Sequence, residues 1–399
     1  MMRGGAEWVS CRGGRTLEFL SRRRGMSVVD WSGRPTMLGD GAGERVCLGN
    51  GSSAHDLGMC WKGARSSCRS SRMSIRSALC MENGGVMEEK PVLYGSELQG
   101  FADRVAACNG GRARSTEFLP FKIDNYTLGY IHHRLAQHLK RFSDVFSIEG
   151  DEDVSRIASG SSKLSYVTLD PSLSSPEKRT KAVAGVLETL KGEGLITGWR
   201  NELYPVVQNY GEPPFFLMER AAAKHFGIRS FGVHMNGYVN IDGEKHLWVA
   251  RRSDTKSTYP GRLDHIVAGG QPEGISCKEN VIKECDEEAG IPRDLAAKAV
   301  AVGAVSYDEI YGDCYSRDLL FCYDLELPLD FQPYNKDGEV QSFMRVPVSE
   351  VVNVIRDTEE YKPNCALVII DFFIRHGYIT PEQKGYIHLL QSLRSGDTS

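Results

Sequence analysis

Residues 261–291 have the sequence GRLDHIVAGGQPEGISCKENVIKECDEEAGI, which combines closely spaced glycines with a run of carboxylates. Gly269 and Gly270 can take backbone conformations that other residues avoid, so we expect a loop that turns sharply and approaches a ligand closely. Ser276 is followed three residues later by Glu279, which is the pattern of a helix that begins with a capping box. The stretch therefore predicts a loop, a helix and a second loop.

The predicted helix carries three glutamates on one face. Glu284, Glu287 and Glu288 are spaced i, i+3 and i+4, so their side chains project within about one turn of each other. Such close like charges repel one another unless a cation lies between them, and carboxylate oxygens are hard ligands that suit Mg²⁺ or Mn²⁺. We expect a divalent metal site here, and the alternative is a solvated acidic helix face.

The spacing from Gly269 to Ile291, G-x5-I-x7-K-E-C-x-E-E-x-G-I, resembles the Nudix box, G-x5-E-x7-R-E-U-x-E-E-x-G-U, in which U is aliphatic. Two flanking segments, HMNGYVN (234–240) and LWVARRSDTKSTYPGRLDHIVAGG (247–270), resemble a plant and fungal Nudix subfamily. Some fungal members of that subfamily are joined to thiamine pyrophosphokinase. The resemblance covers about residues 115–395.

The resemblance implies a metal-dependent hydrolase with an α/β/α sandwich fold. By the family pattern, Glu284, Glu287 and Glu288 bind Mg²⁺ or Mn²⁺ together with the carbonyl of Gly269. Glu288 or Glu287 is the first candidate for the general base that accepts the proton of the attacking water. Glu339 is the second candidate, because many Nudix enzymes place an acid late in the domain. The alternative for Glu339 is an ordinary loop carboxylate.

Two identities depart from the family pattern: Ile275 replaces a glutamate and Lys283 replaces an arginine. In the family this pair can brace the loop against the helix, and here both members are changed. Replacing a partly buried ion pair by apolar packing is often neutral for stability. We therefore expect Ile275 to pack under the glycine loop and Lys283 to face solvent.

Basic residues before the box are candidates for binding the phosphates of a substrate. They lie in a loop rich in glycine and proline: Arg251, Arg252, Lys256 and Arg262. Arginine binds phosphate with two parallel hydrogen bonds and lysine acts as a point charge. The alternative is a solvated loop. Three tyrosines are weaker candidates for stacking on a heterocycle, because aromatic residues more often pack in a core: Tyr259, Tyr307 and Tyr311.

The first 80 residues differ in charge from the rest of the chain. They contain 13 basic and 6 acidic residues, while the remainder contains 35 and 46. Residues 60–80 have no acid and are rich in Arg and Ser, which is typical of organelle transit peptides. With the plant-like resemblance, residues 1–80 predict delivery to a chloroplast. The alternatives are a mitochondrial leader, a disordered tail on a cytoplasmic protein, or an upstream extension of a protein whose true start is Met73 or Met81.

Two folded domains are predicted after the leader. Residues 90–225 are expected to form a small α/β domain, with strands on either side of a turn at Asp124 and with helices at 92–108, 131–143, 174–196 and 215–228. Residues 229–395 are expected to form the α/β/α domain with a mixed sheet. Within it, two strands flank a turn at Asp242 and Gly243, and the last helix is predicted at 380–394.

Together these features predict a pyrophosphohydrolase that cleaves a diphosphate on a heterocycle or a nucleoside. The subfamily resemblance points to thiamine diphosphate and its oxidised forms, with oxidised nucleoside diphosphates such as 8-oxo-dGDP as rivals. The second hypothesis is a non-catalytic module that binds nucleotides or diphosphates through an altered box. We expect no nucleic-acid partner, because residues 81–399 are acidic, and no membrane span, because no apolar run is long enough. The oligomeric state is left open.

Overall fold

The computed structural model describes residues 94–150, 165–256 and 258–396. The predicted leader at residues 1–80 lies outside the described residues. Within the described residues we find no helix whose length and apolar character would let it cross a bilayer. We use "first part" for described residues up to 228 and "second part" for those from 229 onward.

The first part is built around a four-stranded sheet in the order β2-β1-β4-β3, in which β1 and β4 are parallel and the other pairs are antiparallel. Strands β5 and β6 form a separate antiparallel pair. The elements are α1 (Ser96–Cys108), β1 (Phe118–Ile123), β2 (Tyr126–His132), α2 (His133–Leu139), β3 (Phe146–Glu149), β4 (Tyr166–Leu169), α3 (Pro176–Gly192), β5 (Leu203–Val206), β6 (Phe216–Glu219) and α4 (Ala223–Phe226).

Local sequence signals explain several of these elements. Asp124 has a φ of 53°, which fits the predicted turn between β1 and β2. Helix α3 begins where the Ser175 hydroxyl accepts a hydrogen bond from the N–H of Lys178 at 3.3 Å, and Pro176 follows at the first helical position. The side chains of Phe121 and Leu187 are fully buried in the core that joins α3 to the sheet.

Two of the predicted helices in the first part are wrong in extent. The helix expected at 131–143 covers only His133–Leu139, because β2 continues through His132. The helix expected at 215–228 begins instead with β6, which is followed by a 3-10 turn and the short α4. Strand pairing with β5 buries Phe216 and Met218 at alternate positions, so this tertiary contact makes residues 216–219 a strand, and helical structure begins only at the alanines that follow.

The second part contains a mixed sheet in the order β11-β12-β7-β8-β13, with β10 beside β7 and β9 beside β8. Only the β12–β7 pair of this sheet is parallel among the described strands. The elements are β7 (Arg229–Ile241), β8 (Glu244–Arg252), β9 (Leu263–His265), β10 (Val267–Gly270), α5 (Cys277–Ala289), α6 (Arg293–Ala296), β11 (Val300–Tyr311), β12 (Cys314–Glu326), β13 (Val340–Pro347), α7 (Val348–Asp357), α8 (Pro363–Arg375) and α9 (Tyr386–Ser392).

Helices cover both faces of this sheet. Neighbouring residues of β12 point to opposite faces, so Tyr323 packs in the core under α5 while Cys322 packs in the core under α8. Asp242 and Gly243, with φ of 50° and 86°, form the predicted turn between β7 and β8. The α/β/α sandwich with a mixed sheet is therefore confirmed.

Helix α1 packs against α7, α8 and α9, although it precedes the small sheet in the chain. Its Leu98 and Phe101 are buried in the same core as α8. The division of the chain near residue 225 stays a prediction. The last predicted helix is too long: α9 begins at Tyr386, after Gly385 with a φ of 98°, and the N–H of Thr380 donates to the side chain of Gln383 instead of Thr380 capping a helix.

The strand β10 and the helix α5 are joined by a buried pair of amide side chains. The Asn280 amide donates to the carbonyl of Gly270 at 2.7 Å and to the Gln271 side-chain oxygen at 3.1 Å. Gln271 in turn donates to the carbonyl of Ile275 at 2.5 Å. Asn280 and Gln271 are 0% and 3% exposed. These two amides brace the loop against the helix.

Replacing Asn280 with Ala is expected to lower the free energy of unfolding by about 1–3 kcal/mol, because it leaves buried acceptors without a donor. The measurement is urea denaturation of the full chain. Asn353 is the matched control, because it is exposed and donates to the carbonyl of Ser349 at 3.1 Å within α7. Asn353→Ala should change the stability by about 0.5 kcal/mol or less. Equal losses of unfolding free energy in the two variants would contradict the conclusion that Asn280 braces this segment against α5.

Candidate active site

The three glutamates of α5 occupy different environments. Glu288 is half-buried as a residue, and its carboxylate accepts a hydrogen bond from the N–H of Ala268 in β10 at 2.7 Å. The side chain of Glu284 is 14% exposed, whereas that of Glu287 is 47% exposed. The helix begins where the Ser276 hydroxyl accepts from the N–H of Glu279 at 3.2 Å. The helix thus presents two of the three carboxylates toward β10.

The backbone of β10 approaches α5 so closely that a glycine is required. A Cβ atom added to Gly269 would lie 2.4 Å from the carboxyl carbon of Glu284. Gly269 is also paired with Val233 of β7, so the strand cannot move away without breaking the sheet. The structure therefore brings Gly269 and Glu284 together, as the sequence predicted.

The loop before β13 brings two further acids to α5. Backbone N–H groups of Tyr334 and Lys336 donate to carbonyls in the last turns of α5, at 3.1 Å and 3.2 Å. One oxygen from each of Glu288, Asp337 and Glu339 lies within 4.8 Å of the others. Glu339 is therefore close to Glu288, as predicted. Asp337 was missed, and its only sequence signal is that it shares a turn with Glu339.

Burial raises the pKa of both inner carboxylates of α5. The pKa of Glu288 lies well above its usual value because the group is removed from water, and the hydrogen bond from Ala268 opposes this only in part. Burial likewise raises the pKa of Glu284, although the neighbouring charges of Lys283 and Arg220 act in the opposite direction. Clustered buried carboxylates attract either protons or a cation.

Lys283 is exposed, as predicted, but its ammonium also pairs with two glutamates of α5. Its side chain is 45% exposed, but its ammonium lies 3.2 Å from Glu284 and 2.8 Å from Glu287. The reason is helical geometry, since residues three or four apart are neighbours and a lysine can neutralise the glutamates beside it. The side chain of Ile275 is half-buried, and its backbone carbonyl is held by Gln271. The amides of Gln271 and Asn280 thus brace the segment that contains Ile275, and the predicted packing of the Ile275 side chain stays a prediction.

The predicted phosphate-binding residues fall into separate places. The Arg252 side chain is 11% exposed, donates to Asp264 at 2.6 Å and also binds loop carbonyls, so it holds the loop together. Lys256 forms an ion pair with Glu339 and so lies beside the acid cluster. Arg262 lines a different cavity together with Arg104.

The remaining candidates are Arg251 and the three tyrosines. Arg251 is half-buried on β8, with its guanidinium on the side of Gly261. Tyr311 is 85% exposed, and buried Tyr307 accepts a hydrogen bond from Asn364 at 3.0 Å. Tyr259 is 39% exposed and has a φ of 50°. The structure therefore places Lys256 beside the acids and distributes the others around the loop and sheet.

A second group of possible metal ligands lies in the core, on β7, β9 and α8. Ligand atoms of His234, His265 and Cys365 lie within 4.8 Å of one another, and the two imidazoles are 3.2 Å apart. Burial lowers the pKa of both histidines. Each of the three residues is at most 5% exposed. This group is enclosed in the core, so it does not line a cleft that a diphosphate could enter.

The donor set around β10 and α5 fits a hard divalent cation. Carboxylate oxygens converge from the helix and from the 334–339 loop, and the absence of a side chain at Gly269 leaves its backbone against Glu284. Such all-oxygen sets suit Mg²⁺ and Mn²⁺ better than softer metals. Glu284, Glu287 and Glu288 are the residues of α5 that could hold the ion.

Comparisons with known proteins agree with this geometry. A family profile described as NUDIX domain matches residues 236–366, and one described as Domain of unknown function (DUF4743) matches residues 100–230. Nudix hydrolase 20, chloroplastic, of Arabidopsis thaliana is 53% identical over 304 residues, which are 76% of this chain and 80% of that protein. Nudix hydrolase 24, chloroplastic, of the same plant is 51% identical over 304 residues, with the same coverage.

Among solved structures, the NUDIX domain of Shewanella oneidensis NrtR complexed with ADP ribose is 13% identical, covers 41% of this chain and 100% of that chain, and gives a TM-score of 0.30. The family assignment rests on the sequence relatives and the NUDIX profile, which agree with the box read from Gly269 to Ile291. The chain belongs to the Nudix hydrolase family, whose members hydrolyse pyrophosphate bonds.

Proposed function

We propose that the chain is a Mg²⁺- or Mn²⁺-dependent pyrophosphohydrolase that cleaves a diphosphate attached to a heterocycle or a nucleoside. The first candidate substrates are thiamine diphosphate and its oxidised forms. The second candidates are oxidised nucleoside diphosphates such as 8-oxo-dGDP. The observation that carries the proposal is the convergence of Glu288, Asp337 and Glu339 within 4.8 Å, beside the contact of Gly269 with Glu284.

The acids have distinct roles in this proposal. Glu284, Glu287 and Glu288, with the carbonyl of Gly269, hold the metal. When bound, a divalent ion neutralises phosphate charge and lowers the pKa of water. Glu288 also fits the general base, because it is half-buried and lies next to the other acids, whereas Glu287 is more exposed. Glu339 is the second candidate for the base.

Lys256 is the predicted basic residue that the proposal uses to bind phosphate. Its ammonium is paired with Glu339, so a small movement of the side chain would bring it to an anion beside the acid cluster. The pair also affects Glu339. Burial acts to raise the pKa of Glu339, but the ion pair with Lys256 and the charges of Arg252 and Arg200 outweigh burial, and the pKa lies below its usual value.

The competing hypothesis is a binding module with an altered Nudix box. Ile275 and Lys283 depart from the family pattern, but the brace that the departures remove is supplied by Asn280 and Gln271. All three glutamates of the helix are present. These observations favour an enzyme over a non-catalytic module.

A chloroplast location is also part of the proposal. It is supported by the Arg- and Ser-rich, acid-poor composition of residues 60–80 and by two relatives whose names include "chloroplastic". The partner in this compartment would be a small diphosphate metabolite.

Replacing Glu288 with Gln is expected to lower kcat by about 10²-fold or more, because it removes a carboxylate that serves the metal and the proton transfer. The fold should survive, since the Gln oxygen can still accept from Ala268. The measurements are phosphate release at saturating Mg²⁺ and thermal unfolding.

The matched control for Glu288 is Asp286→Asn, which removes an acid of the same helix that pairs with Lys336 and not with the cluster. It should leave kcat within about twofold, because exposed ion pairs contribute little. Near-wild-type turnover in Glu288→Gln would contradict the assignment.

The substrate proposal predicts a ranking of diphosphates. The full chain with Mg²⁺ or Mn²⁺ should release phosphate from thiamine diphosphate, its oxidised forms or 8-oxo-dGDP with a kcat/KM at least about tenfold above that for ADP and dGDP, which corresponds to about 1.4 kcal/mol of transition-state discrimination. The measurement is initial rates over a range of concentrations. Tight binding without phosphate release from any of these compounds would support the binding module instead.

The location proposal predicts that the organellar protein begins between about residues 70 and 90, where the acid-poor segment ends. Isolation of the native protein from chloroplasts and mass spectrometry of its N-terminal peptide measure this directly. Recovery of an intact Met1 from the organelle would contradict it.

A further inference from the structure

We propose that the first part of the chain completes the active site, with the Arg220 guanidinium binding the diphosphate group of the substrate. The residue lies outside the Nudix box and outside the loop that precedes it. The inference rests on the proposed function, because the anion is the diphosphate that the acid cluster and its metal would act on.

The position of Arg220 is set by its contact with the glycine pair. A Cβ atom added to Gly270 would lie 2.8 Å from the guanidinium carbon of Arg220 and 2.0 Å from the hydroxyl oxygen of Tyr204. The preceding residue, Gly269, makes the close approach to Glu284. A cationic side chain from the first part therefore borders the same short strand that borders the acids.

This contact belongs to a wider docking of the first part onto the box. The N–H of Glu273 donates to the carbonyl of Leu203 at 3.1 Å. Tyr210 reaches Cys277 at the start of α5 with a 2.9 Å contact between its hydroxyl oxygen and the sulfur. The Tyr210 ring also packs on Phe321 of β12, with ring centroids 4.6 Å apart. Because several contacts hold the first part against the segment from Gly270 to Cys277, the position of Arg220 beside Gly270 is fixed.

The guanidinium is held in place but is not enclosed. One of its terminal nitrogens donates to Glu202 at 2.7 Å, and its planar group lies over the Tyr204 ring at 5.4 Å from the centroid. The side chain is 40% exposed, so part of the fork faces water. A fixed and partly exposed guanidinium loses little freedom when an oxyanion binds.

A buried carboxylate fixes the backbone on either side of this arginine. Glu219 is 5% exposed and accepts hydrogen bonds from the N–H groups of Arg200 at 2.8 Å and Ala221 at 3.1 Å. It therefore ties together the two segments that carry Arg200 and Arg220.

The chemistry of the ligand explains why a further cation is needed. The acid cluster repels an anionic substrate, and of the four basic residues first expected to bind phosphate, Arg252 is engaged by Asp264 and Arg262 lines another cavity. Arginine grips a phosphate through two parallel hydrogen bonds. Arg220 supplies such a group beside Gly270, the residue next to the Gly269–Glu284 contact.

The test uses the full chain and methylenediphosphonate, a diphosphate analogue that cannot be hydrolysed. Calorimetric titrations are made with Mg²⁺ and again with EDTA, so that one readout is independent of metal and of activity. Arg220→Ala is expected to weaken binding at least tenfold in both conditions, and Arg220→Lys to weaken it less. Arg141→Ala is the matched control, because this exposed arginine pairs with Glu193 in the first part, and it should bind like the wild type.

A second variant separates anion binding from a merely structural role. Glu202→Gln removes the partner of Arg220 but leaves the guanidinium in place. If Arg220 binds the anion, Glu202→Gln retains or tightens methylenediphosphonate binding, because a competing carboxylate is gone. If Arg220 serves only to hold Glu202, both variants lose affinity and thermal stability alike, and the inference is overturned.

The outcomes also separate this inference from the proposed function. Wild-type affinity in Arg220→Ala, or no binding of methylenediphosphonate by the wild type at millimolar concentration, overturns the inference even if the wild type hydrolyses diphosphates. If Arg220→Ala loses affinity while the wild type hydrolyses no diphosphate, the anion site stands and the proposed pyrophosphohydrolase fails.

Discussion

The rest of the site depends on one constraint, which is that a carboxylate of α5 is held out of water against the backbone of β10. Glu288 accepts from Ala268 at 2.7 Å, and the next residue, Gly269, has no room for a side chain beside Glu284. Removing carboxylates from water and placing them side by side is costly unless protons or a cation compensate. The close packing of strand and helix therefore creates a site with a strong preference for a positive ligand.

Three regions of the chain meet at this strand and helix. The box supplies β10 and α5, the 334–339 loop adds Asp337 and Glu339, and the first part docks on Gly270 through Tyr204 and Arg220. The first part therefore contributes side chains beside the Nudix box, because Tyr204 and Arg220 contact the end of β10. Helix α1 connects the parts further by packing on α7, α8 and α9.

The sequence predicted the features that follow from local pattern. The Ser276 cap and the i, i+3, i+4 glutamates are read within one helix, and the structure places them as expected. Gly269 and Gly270 were expected to form a sharply turning loop, but they end strand β10, because backbone pairing with Val233 and Gly232 of β7 holds them in the sheet. The sequence did not predict contacts between residues far apart in the chain, such as that of Asp337 with Glu288. The local sequence around an acid in a turn does not show which distant residue it will contact. Strand β6 was mistaken for helix because its partner β5 lies elsewhere in the chain.

Metal binding beside α5 is measured most directly by a crystal structure of the full chain grown with Mn²⁺, with anomalous scattering collected at the manganese edge. We expect an anomalous peak bonded at about 2.0–2.3 Å to carboxylate oxygens from at least two of Glu284, Glu287 and Glu288. A peak found only at His234, His265 and Cys365, or no peak beside α5 at saturating Mn²⁺, would contradict it.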